Sequence, residues 1–205
     1  MLDNQGFNLW AQEYDGSVRR SDENNRYPFA GYQDIMNEIF RRVLRAPGRD
    51  ILDIGFGTGV LTARLYEQGC RIFGQDFSSA MIELAQQKMP EAILVQGDFA
   101  QGLAVPLRQN RYDAILATYS LHHLTDAQKV SFLHDLLSCL REGGCLYIGD
   151  VAFTTRRELE ACRAEAGDSW DDDEIYFVFD ELKSSFPTMQ FEPFSYCSGL
   201  LSLKK

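Results

Sequence analysis

No two of the five cysteines, Cys70, Cys139, Cys145, Cys162 and Cys197, stand in a C-x-x-C spacing, and their number is odd. That argues against metal ligation or a disulfide framework and fits reduced, mostly buried thiols. No apolar run approaches the ~20 residues that a membrane helix needs. The start, Met1-Leu2-Asp3-Asn4-Gln5, has neither the basic nor the apolar region of a signal peptide. The expected compartment is therefore the cytoplasm. Basic runs are missing as well: 20 Lys and Arg against 30 Asp and Glu leave a net charge of −10. Bulk attraction to nucleic acid or to an anionic membrane is thereby excluded, and neither is expected as a partner. Repeats, linkers and low-complexity segments are absent. The 205 residues, 45% apolar and 24% charged, fit one soluble domain with a sizeable core.

Apolar runs and helical spacings alternate from Asp50 onward. Strands are expected at 50–54, 71–75, 93–96, 112–117 and 145–150, with helices at 60–68, 79–88 and 126–140. Such alternation implies a parallel sheet with helices on both faces. Ser78 or Ser79 can cap the second of these helices and Thr125 or Asp126 the next. Gly69 and Gly143-Gly144 fall where helices should end. A further helix is expected between Pro28 and Arg45. Two more are expected at 156–167 and 171–186. Two closing strands, 190–197 and 200–204, suggest an antiparallel hairpin turning at Ser198-Gly199, at a sheet edge.

The first strand runs into Asp53-Ile54-Gly55-Phe56-Gly57-Thr58-Gly59. A dinucleotide fold expects Gly-x-Gly-x-x-Gly, but here the third glycine comes one residue early. Glycines at 55, 57 and 59 let backbone approach a ligand closely, and the helix from Val60 points free N–H groups at that loop. Asp76 ends the second strand, Gln96-Gly97-Asp98-Phe99 follows the third, and Ala117-Thr118-Tyr119-Ser120-Leu121-His122-His123-Leu124 follows the fourth.

In order and spacing this set resembles the class I S-adenosylmethionine-dependent methyltransferases. The resemblance implies an α/β, doubly wound, mostly parallel seven-stranded sheet with a C-terminal antiparallel hairpin. It implies a single domain: an N-terminal helical lid (1–46), a cofactor-binding core (47–150), and closing helices and hairpin (151–205). It also implies S-adenosylmethionine as cofactor and S-adenosylhomocysteine as product. Gly55, Phe56, Gly57, Thr58 and Gly59 would enclose the methionine end, whose amino group Asp53 attracts. Asp76 would accept the ribose hydroxyls, or serve as a helix cap, or both. Phe77 and Met81 would lie against the adenine, with Gly97, Asp98 and Phe99 at its edge. Ala117 and Thr118 would border the cofactor, and Tyr119 and His123 would face the substrate.

His123 could act as general base, or both histidines could be structural hydrogen-bonders. A two-histidine metal site lacks acids or cysteines at ligand spacing, so no metal is expected. The family's Asn-Pro-Pro-Tyr element is absent, which lowers adenine and glutamine as acceptors. Trp10-Ala11-Gln12-Glu13-Tyr14-Asp15 resembles the Trp-x-x-x-Tyr-Asp segment of a small bacterial group, in which the Tyr contacts the cofactor. Tyr14 is thus a lid candidate, with Arg19, Arg20 and Tyr27 as weaker ones. The acids from Asp168 to Glu174 read as a solvated helix start or a rim for an amine substrate.

The expected activity is methyl transfer to O, N or S of a small molecule. A non-catalytic cofactor-binding protein, a protein methyltransferase and a nicotinamide oxidoreductase are the alternatives. Whether the protein is a monomer or a homodimer is left open.

Overall fold

Strand β1 (Asp50–Ile54) is buried along its whole length because helices cover both of its faces. Ile51 points into one core with Ile35, Ile39 and Val43 of helix α2 (Tyr32–Arg45) and Leu61 and Leu65 of α3 (Val60–Glu67). Leu52 and Ile54 point into the other, with Phe132, Leu133 and Leu136 of α6 (Asp126–Ser138). The computed structural model describes residues 14–205, and at Tyr14, Asp15, Ser17, Arg19 and Arg20 it describes the backbone alone.

Helix α1 (Tyr14–Glu23) leads into α2. Strands β1 to β5 then alternate with helices: β2 (Arg71–Asp76), α4 (Ser79–Lys88), β3 (Ile93–Gln96), α5 (Val105–Arg108), β4 (Tyr112–Thr118), α6 and β5 (Leu140–Phe153). After α7 (Arg156–Ala166) come β6 (Phe177–Val178), α8 (Phe179–Leu182), β7 (Gln190–Pro193) and β8 (Ser198–Lys204). The sheet order is β3-β2-β1-β4-β5-β8-β7, with β6 pairing β5 off this path. Along that path β8 alone is reversed, pairing antiparallel with both β5 and β7. The doubly wound, mostly parallel expectation holds, with the two-residue β6 as an eighth strand. Among the described residues no helix is long and apolar enough to cross a membrane.

Local chemistry sets the boundaries. The Ser78 hydroxyl accepts the Met81 N–H at 3.2 Å and starts α4. Thr125 starts α6 with a reciprocal capping box to Gln128. Gly149 of β5 admits α2, because a Cβ there would collide with Ile35. That close approach seats α2 over the carboxyl ends of β4 and β5.

Three expectations need correction. Residues 171–186 are not one helix: the Ile175 N–H is drawn to the His122 carbonyl at 2.8 Å, and Phe177 and Val178 pair with Ala152 and Phe153 of β5. Within that stretch only the four residues of α8 are helical, so the acids from Asp171 to Glu174 lie in a loop rather than at a helix start, while Asp168 sits in the short 3-10 turn Gly167–Ser169. The hairpin turns at 194–197, where Phe194 and Ser195 N–H groups donate to the Ser198 carbonyl. Ser198 and Gly199 are strand residues; Gly199 is needed because a Cβ would strike the Phe191 ring. Finally, α6 ends at Ser138, well before Gly143-Gly144, and β5 begins at Leu140.

Candidate functional site

The carboxyl ends of β1, β2, β4 and β5 each carry a polar group at one edge of the sheet: Asp53, Asp76, Thr118 and Asp150. This is where open α/β sheets place ligands. A cleft of roughly 390 Å³, counting its open mouth, lies there. The structure brings Asp53, Gly55, Phe56, Gly57, Thr58, Thr118 and Tyr119 together along its lining.

Gly55, Gly57 and Gly59 all have positive φ (66°, 54° and 73°), so the loop takes a course that a side chain would strain. At Gly57 an added Cβ would meet nothing within 4 Å, which leaves its backbone open to a ligand. At Gly55 it would hit Ser120, whose hydroxyl donates to the Ile54 carbonyl at 2.8 Å. Asp76 fastens the same loop. Its Oδ2 accepts the Gly57 N–H at 2.8 Å and its Oδ1 the Ser78 N–H at 2.9 Å. Burial raises the Asp76 pKa, while these backbone bonds hold it down.

Asp53 is 1% exposed, and its Oδ1 has no hydrogen-bond partner among the described residues. Burial pushes its pKa up to about 7; the nearby Thr62 hydroxyl offsets this and the Asp76 charge adds to it. An unpaired buried carboxylate is costly unless a cation comes to it. The site thus suits a ligand that brings a positive charge to Asp53. A pyrophosphate would meet the opposite field.

Phe77 is half-buried and Met81 buried on the first turns after Asp76. Asp98 is exposed, and its Oδ1 caps the short turn 99–101 through the Ala100 N–H at 2.8 Å. Gly97 packs near the Gln75 amide. Phe99 stacks on Phe132 and Ala117 is fully buried, so both side chains belong to the core. Trp10 and the side chains of Tyr14, Arg19 and Arg20 lie outside the described residues. Tyr32 and Met36 of α2 line the cleft too, although the sequence marked them only as helix positions.

Tyr119 adopts φ +48°, a left-handed conformation rare for a tyrosine and enriched at functional sites. Its ring packs between Phe29 and Tyr32, each 5.2 Å away, and its buried hydroxyl has no hydrogen-bond partner among the described residues. Burial drives its pKa well above 10.

The histidines part company. His122 is buried, with Nδ1 2.6 Å from Asp150 Oδ1 and Nε2 3.4 Å from Glu174 Oε1. Burial alone would lower its pKa, but the Asp150 charge and hydrogen bond outweigh that and raise it. His123 lies beside it, ring centroids 4.4 Å apart. Burial, reinforced by the His122 charge, pushes the His123 pKa down to about 4.

Glu174 also accepts the Tyr176 hydroxyl at 2.7 Å, and Tyr27 hydrogen-bonds Tyr176 in turn. Tyr27 stacks on Trp170, centroids 5.1 Å apart, and Trp170 meets Tyr176 edge-on. The sequence did not mark Asp150 or Tyr176, and it offered Glu174 only as one acid of the stretch from Asp168. Asp150 did carry a signal, an acid ending a buried strand, as Asp53 and Asp76 do. Nothing in the sequence marks Glu174 as a neighbour of His122.

A family model described as "Methyltransferase domain" matches residues 51–144. An uncharacterized methyltransferase of Anoxybacillus flavithermus is 39% identical over 160 residues, 78% of this chain and 72% of the relative. Another, from Geobacillus thermodenitrificans, is 37% identical over 188 residues, 88% and 84% of the two chains. Among solved structures, magnesium protoporphyrin IX methyltransferase from Synechocystis with bound SAH superposes with a TM-score of 0.67 at 19% identity, over 86% of this chain and 84% of that one. An amino pentose methyltransferase of Micromonospora echinaspora with bound SAM gives 0.64 at 15% identity, over 83% and 90%.

Proposed function

We propose, from the premise that this chain belongs to the methyltransferase family, that it moves a methyl group from S-adenosylmethionine to an O, N or S atom of a small molecule. The observation that carries this reading is the buried Asp53 carboxylate, its Oδ1 without a partner, set beside a glycine loop whose Gly57 face is open. A ligand with an ammonium group and a nucleoside fits that pairing. When bound, that sulfonium would supply an electrophilic methyl group for the acceptor's lone pair, with S-adenosylhomocysteine as the leaving product.

The chain's own residues then bind, orient and exclude water. Asp53 holds the amino group, and the Gly55–Gly59 loop gives backbone room for the methionine end. Asp76, already oriented by two backbone N–H groups, uses its remaining lone pairs for the ribose hydroxyls. Phe77, Met81 and Asp98 serve the adenine. Tyr119, Thr118 and the two histidines border the acceptor side.

On this reading that side is walled by Tyr27, Trp170 and Tyr176, which pack on one another beside His122, and such a wall favours a small acceptor over a folded peptide. The names of the porphyrin and amino pentose methyltransferases point the same way. The test is isothermal titration with S-adenosylhomocysteine, with NADH as control. Binding of the nucleoside alone supports the reading; binding of NADH alone, or of neither, overturns it.

A further inference from the structure

His122, His123 and Glu174 each turn one ligand-type atom into the same space, and those atoms lie within 4.8 Å of one another. The lack of an acid near the histidines, which spoke against a metal in the sequence, disappears once the loop before β6 delivers Glu174. The geometry points to a divalent cation site here, of zinc type, built from His122 Nε2, His123 and Glu174 Oε1.

The distances favour a cation over a direct bond. A charge-assisted hydrogen bond between imidazolium and carboxylate spans ~2.7–2.9 Å, whereas His122 Nε2 and Glu174 Oε1 are 3.4 Å apart. Two ligands on a tetrahedral zinc, each ~2.0–2.1 Å from it, stand ~3.3–3.4 Å from each other.

The outer contacts fit as well. Asp150 is a carboxylate acceptor, so His122 Nδ1 carries the proton of the 2.6 Å bond and Nε2 is the atom turned to the cluster. An acid on the far nitrogen fixes tautomer and ring orientation, as around metal-bound histidines generally. Tyr176 holds Glu174 Oε2 in the same manner and leaves Oε1 for the cation. Two nitrogens and one oxygen select a first-row ion over the hard cations Mg²⁺ and Ca²⁺.

Three protein ligands leave a position open. On the methyltransferase reading, on which this step rests, an acceptor hydroxyl or thiol ligates there and loses its proton to solvent. It then stays bound as an anion, with no strong protein base required.

The experiment is calorimetric titration of the full chain, stripped by chelator, with ZnCl₂ in a non-coordinating buffer. S-adenosylhomocysteine titrations and thermal melts run in parallel. One zinc should bind with a Kd of about 1 μM or tighter, and Glu174→Gln and His123→Ala should each weaken it at least tenfold. Cobalt(II) should give the intense visible absorption of a tetrahedral site, lost in both variants.

Absence of saturable binding overturns the inference. So does zinc affinity unchanged in both variants, which would place the ion on surface acids. If one variant melts early, the other variant and the cobalt spectrum of the unmodified chain decide between these outcomes. Zinc bound at the predicted ligands without nucleoside binding supports the site while removing the methyltransferase reading.

Discussion

Asp76 Oδ2 accepts the backbone N–H of Gly57 at 2.8 Å, so the acid that ends β2 holds the glycine loop that follows β1. One carboxylate therefore shapes the loop and, on the proposed reading, also takes the ribose hydroxyls. Asp76→Asn keeps an acceptor oxygen and removes the charge. S-adenosylhomocysteine should bind about 30-fold more weakly, for a loss of ~2 kcal/mol in charged hydrogen bonds. Asp76→Ala strips both backbone bonds as well and should lower the melting temperature by a further ~2–8 °C. Calorimetry and melting curves separate the two effects. Equal affinity in Asp76→Asn would leave the acid only its structural role.

Two glycines of the loop should fail differently. Gly57→Ala places a methyl in open space at φ +54°. The strain costs ~1–2 kcal/mol, while nucleoside affinity should drop at least tenfold as the methyl fills the ligand's path. Gly55→Ala drives a methyl into Ser120, and overpacking there should cost ~2–4 kcal/mol. Melting curves would show the larger drop for position 55. A larger drop at position 57 would contradict the open face.

Asp53 sets a pH dependence. Its folded pKa, about 7, lies above the unfolded value of 3.8. Between these values the folded chain holds a proton that the unfolded chain releases, so stability falls as pH rises from about 4 to about 7. The full effect is on the order of 4 kcal/mol. Asp53→Asn should flatten this slope and melt higher than the unmodified protein at pH 8. Cofactor binding runs the other way, strengthening as pH rises through 7 and releasing a proton below it. Titration in buffers of different ionisation enthalpy reads that proton; heats independent of buffer would remove Asp53 as the ammonium's partner.

Lys129 is fully buried on α6, donates to the Ile175 carbonyl and to Asp126 Oδ1 at 3.2 Å, and lies 4.6 Å from the Phe177 ring centroid. It thereby pins the loop that carries Glu174. Lys129→Met keeps the bulk and loses the donor, for a net cost of ~1–2 kcal/mol. Amide exchange over 172–177 should accelerate. Unchanged exchange there would mean that the remaining contacts, the Ile175-to-His122 bond and the β5–β6 pairing among them, hold the loop without Lys129.

The sheet core was legible because it obeys local rules. Val-, Ile- and Leu-rich runs ended in acids, Ser78 and Thr125 capped helices, and the glycine spacing chose the ligand class. The segment 171–186 departs from expectation because its helical spacing lost to tertiary pairing. Ile175 bonds the His122 carbonyl, and Phe177 and Val178 find an open edge on β5. Ser198-Gly199 looked like a turn because Gly199 is small, yet it is small to admit Phe191. The histidine cluster was invisible for a third reason. His122, Asp150 and Glu174 come from three distant stretches, and only the folded sheet brings them together.

Strand β8 lies between β5 and β7 although it leaves the ribosome after both. Until residues 198–204 emerge, β5 has one bare edge, the edge where Asp150 and Val151 later pair with Gly199 and Ser198. The glycine loop, Asp53 and Asp76 can assemble before then, since β1 to β4 do not pair with β8. Synthesis therefore divides the cleft in time: the half built on the glycine loop can form on the nascent chain, while the strand that orients His122 stays exposed to wrong partners until the hairpin of β7 and β8 closes.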